Sequence, residues 1–222
     1  MAISSVATSS VAPLSVPPAT NIQAVCFDIG GILIELNGDV HLREFYGPNM
    51  SRAEVWDKWM HSPAVHAHET GQIKAAEFGR AFLAENGAQP TEAASAHFLQ
   101  RFDSWLVGPY AGARELVAAT SARYTTALLT NMSAVHWPTV EAFGLHVGPH
   151  HFVKSYEVGI MKPHAAYFEK ALDMMAVDAL NTVFFDDSER NVAAAKALGM
   201  QAYCVIGAKA VRDKMVELGL LG

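Results

Sequence analysis

The chain has 222 residues, 51% of them hydrophobic and 17% charged, so it can bury a core and is too apolar for wholesale disorder. Sixteen Lys and Arg against 22 Asp and Glu give a formal charge of −6, which excludes a partner that needs a broad basic face, nucleic acid above all. A small anionic ligand held by one or two cations remains compatible with that balance.

No Lys or Arg precedes Arg43. Residues 1–20, MAISSVATSSVAPLSVPPAT, have neither the basic start and apolar stretch of an export signal nor the arginines of a transit peptide. They are expected to form a flexible tail. Nothing later reaches roughly 18 uninterrupted apolar residues, so no membrane span and a cytoplasmic location are expected. Cys26 and Cys204 lie in the strand-like runs AVCFD and AYCVI, and both are expected to be reduced core thiols.

From residue 22 the pattern is apolar run, turn, helix. Residues 22–27 form a hydrophobic run that ends at Asp28 and Gly30-Gly31, as a strand buried on both faces would. Similar runs recur at 125–130 (TTALLT), 182–185 (TVFF) and 202–206 (AYCVI), with a weaker one at 151–154. Helical stretches are expected at 112–121, 134–143, 163–175 and 189–198, the last closed by Gly199. Strand alternating with helix predicts a doubly wound α/β core around a parallel sheet.

Residues 38–106 break the alternation. They show no strand, but helical candidates at 53–60, 75–85 and 91–105. Trp56, Trp59, Phe78, Phe82, Phe98, Phe102 and Trp105 recur at three- and four-residue spacing, which predicts packing inside a small helical bundle. The expected division is a tail at 1–20, a core at 21–37 and 107–222, and a helical cap at 38–106. The insertion follows the first strand, at the carboxyl edge where open α/β sheets bind ligands, so it is read as a lid.

Four sets of polar residues fall at or just beyond strand ends: Asp28, Thr130-Asn131, Lys162 and Asp186-Asp187. Singly, each has a bland explanation, because aspartates cap turns and a Lys before a helix is usually solvated. Convergence above one sheet edge gives them a common chemistry. Asp28, Asp186 and Asp187 together would repel unless a cation lay between them, and three hard oxygens suit Mg²⁺. Lys162, Thr130 and Asn131 add a positive charge and donors for a phosphate, with Asp28 as attacking carboxylate. The pattern points to phosphoryl transfer.

The motifs resemble those of the haloacid dehalogenase (HAD) superfamily, in its subgroup with a helical cap. They read in order FDIGGI from Phe27, LLTN at 128–131, GIMKPHAAYF around Lys162-Pro163, and FFDDSERNVAAAKALGM from Phe184. The resemblance covers residues 22–206 and implies a Rossmann-like core with an all-helical cap. It implies that Asp28 is nucleophile and metal ligand, that Thr130 and Asn131 hold the transferring group, and that Lys162 screens nucleophile and phosphoryl oxygens. It further implies Mg²⁺ bound by Asp28, the Gly30 backbone carbonyl and Asp187, with Asp186 assisting, and Asn191 orienting the loop.

One position departs from the family pattern. The second Asp of the first motif, general acid and base in that family, is Gly30 here, as in sugar-1-phosphate phosphatases with FDxGG/N. Haloacid dehalogenases also lack that Asp, but typically without the acidic pair that stands here as Asp186-Asp187. The expected activity is therefore a Mg²⁺-dependent phosphatase acting on a small phosphorylated metabolite, such as a sugar phosphate. The alternatives are a 2-haloacid dehalogenase-type hydrolase and a catalytically weak binding protein. In the cap, HSPAVHAHETGQI is read as an exposed loop, with His66 and Glu69 as candidates for substrate selection.

Overall fold

The computed structural model describes residues 21–222, so the tail expected at 1–20 lies outside the described residues. The core is a five-stranded parallel sheet built from β1 (Ala24–Phe27), β4 (Thr125–Thr130), β5 (His151–Lys154), β6 (Thr182–Asp186) and β7 (Gln201–Cys204). Their order is β5-β4-β1-β6-β7, and every pairing is parallel. All five carboxyl ends therefore share one edge, with β1 in the centre.

Both faces of β1 are covered, which explains why its sequence is continuously apolar rather than alternating. Val25 and Phe27 join one buried cluster, while Ala24 and Cys26 join the other. The first face receives α6 (Ala113–Ser121), α7 (Trp137–Ala142) and α11 (Gly207–Glu217) through Leu116, Val117, Val140, Val211 and Met215. The second receives α9 (Ala165–Met175) and α10 (Glu189–Ala197) through Tyr167, Phe168, Ala171, Val192 and Ala195. The short α8 (Ser155–Val158) follows β5. This is the doubly wound α/β core expected, with α11 as an element the sequence reading did not name.

Five helices stand between β1 and β4: α1 (Gly38–Tyr46), α2 (Arg52–Met60), α3 (Pro63–Glu69), α4 (Ala75–Glu85) and α5 (Glu92–Asp103). Ser51 begins α2 with a capping box shared with Glu54, Ser62 caps α3 ahead of Pro63, and Thr91 caps α5. The aromatic stripe packs inward. Phe82 stacks on Phe98 at 4.6 Å and Trp59 lies 4.8 Å from Trp105, with Phe78 and Phe102 completely enclosed among them. The buried cluster on the β1 face of Phe27 runs without a break into this bundle.

The chain enters and leaves the bundle on a two-stranded antiparallel ribbon, β2 (Ile34–Leu36) against β3 (Leu106–Pro109). Two bonds lengthen the ribbon, Tyr110 N–H to the Leu33 carbonyl and Asn37 N–H to that of Trp105. Two expectations need correction. The segment from His61 to Gly71 is no exposed loop, because Ser62 and Pro63 start a helix whose face buries Val65, His68 and Glu69. Cys204 is no core thiol either: it ends the edge strand β7 and is exposed, whereas Cys26 in the central strand is buried. Among the described residues no helix is long and apolar enough to cross a membrane.

Candidate active site

Asp28 leaves β1 at its carboxyl end, and its N–H donates to the Phe185 carbonyl, which fixes it beside β6. Asp186 closes β6 and Asp187 follows. One carboxylate oxygen from each of the three lies within 4.8 Å of the others. The sharp turn after β1 needs Gly31, whose φ is +72°. A Cβ there would stand 2.1 Å from Asp187 Oδ2, so the backbone approaches that carboxylate as only glycine allows.

Lys162 reaches the cluster from the loop before α9. Its ammonium donates to Asp186 Oδ2 (2.7 Å), to the Leu129 carbonyl (2.8 Å) and to Asp28 Oδ1 (2.9 Å). All three N–H bonds thus have acceptors inside the protein, and the side chain is 1% exposed. The lysine acts here as a fixed charge and a bridge between carboxylates, not as a free donor. Its backbone is clamped in turn by Asn131, whose Nδ2 donates to the Lys162 carbonyl while Oδ1 accepts from Lys162 N–H, both at 2.8 Å. The Asn131 side chain thus positions the lysine, with a second amide N–H left over. Thr130 is buried at the end of β4, and Tyr167 O–H donates to its carbonyl.

Asp186 is saturated as well. Beyond Lys162, it accepts from Ser188 N–H (2.8 Å) and from Asn191 Nδ2 (3.0 Å), which ties the start of α10 to the sheet. Asp187 faces outward and is left to a ligand. The electrostatics fit that division. Burial pushes the Asp28 carboxyl up; Lys162 opposes this, and Asp186 and Asp187 add to it, leaving it raised. Burial and then Asp186 raise Asp187. Burial alone would depress the Lys162 ammonium, but Asp186 and Asp28 outweigh it and hold it charged. Three carboxylates against one ammonium form a hard-oxygen site with surplus negative charge, which a divalent cation such as Mg²⁺ fits.

Gly30 lies beside the cluster. A Cβ placed there would meet Leu36 Cδ1 at 2.8 Å, the end of a flexible side chain that would have to turn aside for a larger residue. From the cap, Glu69 is 7% exposed and accepts from Trp59 Nε1 at Oε1 (3.3 Å). Its charge is felt by, and feels, that of Lys162. His66 is exposed and faces His164 across the cap–core boundary, ring centroids 6.3 Å apart. Sequence reasoning missed two contributors. Leu129 offers only a backbone carbonyl, and His136, whose Nε2–H donates to the Phe102 carbonyl (2.7 Å), fastens α5 to the core.

The parallel α/β core thus carries a carboxylate cluster at its carboxyl edge, with a helical bundle inserted after β1. The family model for haloacid dehalogenase-like hydrolases matches residues 22–199, and the chain belongs to that family. Its fold is similar to that of a predicted HAD-like hydrolase from Porphyromonas gingivalis (TM-score 0.70, 21% identity, 89% of this chain and 97% of that one). A HAD family enzyme from Bacteroides thetaiotaomicron, solved with magnesium and inorganic phosphate, matches at TM-score 0.66 and 24% identity over 82% of this chain and 93% of that one. The L-2-haloacid dehalogenase of Xanthobacter autotrophicus, with chloropropionic acid covalently bound, matches at TM-score 0.61 and 19% identity, covering 90% and 84%.

Proposed function

We propose that this hydrolase is a Mg²⁺-dependent phosphatase of small phosphomonoesters, a sugar phosphate among them, working through an aspartyl-phosphate. The convergence of Asp28, Asp186 and Asp187 within 4.8 Å, bridged by Lys162, carries the reading. Asp28 Oδ2 is the nucleophile, its Oδ1 being held by the lysine. Asp187, Asp28 and the Gly30 carbonyl are the residues that would hold the metal, with Asp186 supporting them from its bonds to Lys162 and Asn191. The bound cation would supply positive charge to the phosphoryl oxygens. Asn131 keeps Lys162 in register, and Thr130 together with the backbone of the β4 loop receives the phosphoryl group.

The dehalogenase reading draws on Gly30, since a halide leaves without a proton; the acidic pair Asp186-Asp187 argues for the phosphoester. Purified protein is expected to release phosphate from p-nitrophenyl phosphate with Mg²⁺, and to lose this on chelation or in Asp28→Asn. Chloride release from a 2-haloacid without metal would favour the dehalogenase instead. No turnover of either substrate class would leave a binding role.

A further inference from the structure

Within that phosphatase reading, we propose that Glu69 in the cap is the catalytic acid and base, supplying from the lid the proton that Gly30 cannot. Three observations support it. The position beside Asp28 carries no acid, since the residue there is Gly30, and a side chain added to it would have to turn aside the Leu36 Cδ1 methyl, 2.8 Å from its Cβ. Glu69 ends α3, which packs on α8 so closely that a Cβ on Gly71 would stand 2.4 Å from the Tyr156 carbonyl, a few residues from Lys162. Its two oxygens are used unequally. Trp59 anchors Oε1, while Oε2 is buried and has no hydrogen-bond partner among the described residues. An unpartnered buried carboxyl oxygen is costly unless it is protonated or meets a ligand.

The surroundings set its proton affinity. Burial raises the Glu69 carboxyl to about 7, against the opposing pull of the Trp59 hydrogen bond and the Lys162 charge. The other groups nearby leave that balance intact. On α3 itself, His66 is exposed and burial holds His68 below its ordinary value, hence uncharged near neutrality. From α4, Phe78 stacks on His68 at 4.3 Å; on α8, Glu157 is paired with Lys154. A carboxyl poised near neutrality is suited to both giving and taking a proton.

Asp28 Oδ2 attacks phosphorus, the ester P–O bond breaks, and the departing oxygen takes the proton from Glu69 Oε2 to leave as an alcohol. Water then attacks the phosphorus of the aspartyl-phosphate and its proton passes to the Glu69 carboxylate. The P–O bond to Asp28 breaks, phosphate departs and Glu69 is again protonated.

The test compares leaving groups. p-Nitrophenolate departs without a proton, whereas the alkoxides of glycerol 2-phosphate and glucose 1-phosphate need one. Glu69→Gln should lower kcat/KM for the alkyl esters by about 10²-fold or more and for the aryl ester far less. In the wild type, kcat/KM for the alkyl esters should fall as pH rises through about 7, as the acid is lost, with no matching fall for the aryl ester. Trp59→Phe, which removes the bond that favours the carboxylate, should move that fall to higher pH. Equal losses for both ester types in Glu69→Gln, or a wild-type pH limb common to both, would overturn the proposal. So would a wild-type enzyme that cleaves the aryl ester and neither alkyl ester. Failure to cleave any phosphoester would instead refute the phosphatase reading itself.

Discussion

At the scale of single residues, the site is governed by which polar atoms are already spoken for. Lys162 and Asp186 have their donors and acceptors filled inside the protein, so they hold the site's shape, while Asp28 Oδ2 and Asp187 are left to meet a ligand. Gly30 is the position where the local chemistry departs from the family pattern, and the Leu36 methyl is what a side chain there would have to displace. Its φ is not in the left-handed region, so the obstacle is the leucine methyl and not the backbone. Gly30→Asp alone should gain only as far as the flexible Leu36 side chain turns aside. Combined with Leu36→Ala, it should raise kcat/KM for alkyl phosphates by about tenfold or more, because a second acid then reaches the leaving oxygen. Steady-state kinetics of the single and double variants check this; no gain in the double variant would show that leaving-group protonation does not limit turnover.

Among the elements, the join between bundle and core matters most. It includes the β2–β3 ribbon, the packing of α3 on α8 and the bond from His136 at the start of α7 to the end of α5. Burial depresses His136 to about 4, below the ordinary histidine value near 6.5. The unfolded chain therefore binds a proton more readily than the folded one as pH falls. The stability contributed by the neutral ring is complete above about pH 6.5 and is lost as pH drops toward 4, on the order of 3 kcal/mol in all. Urea denaturation across that range should show the decline, and His136→Gln should flatten it. An unchanged slope would mean that the ring is not held neutral. The ribbon and α3 were not legible in the sequence. Strands of three and four residues give too short a pattern, and β2 and β3 find each other only because the bundle brings distant segments together. For α3, a seven-residue helix rich in histidine, local propensity is weak and burial against α2 and α4 decides.

On the scale of the whole molecule, cap and core share one apolar interior. The buried cluster that begins at Val25 and Phe27 continues through Leu42, Val55 and Trp59 to Phe98. Phe102 is its pivot: 1% exposed, its ring lies 4.9 Å from Trp105 in the cap and 4.2 Å from His136 in the core. Bundle and sheet should therefore melt together in one calorimetric transition. Phe102→Ala should lower that transition by removing about 3–5 kcal/mol of packing. A wild-type melt with a separate early cap transition would contradict the shared interior.

The parallel core was legible in the chain alone, because buried strands and the helices between them write their periods locally. So were the residue types that stand at or just beyond the carboxyl ends of the strands, Asp28, Thr130, Asn131, Asp186 and Asp187, and the Lys162 that precedes a helix. Only the tertiary structure decided how those residues divide their bonds, since Lys162 meets Leu129, Asp28 and Asp186 across strands far apart in the chain. It also decided that Glu69 is buried with a free oxygen rather than exposed on a loop, because burial is a property of what packs around a residue. The net charge of −6 gave no hint of either result: it adds carboxylates without regard to distance, and the chemistry depends on the few that share a site.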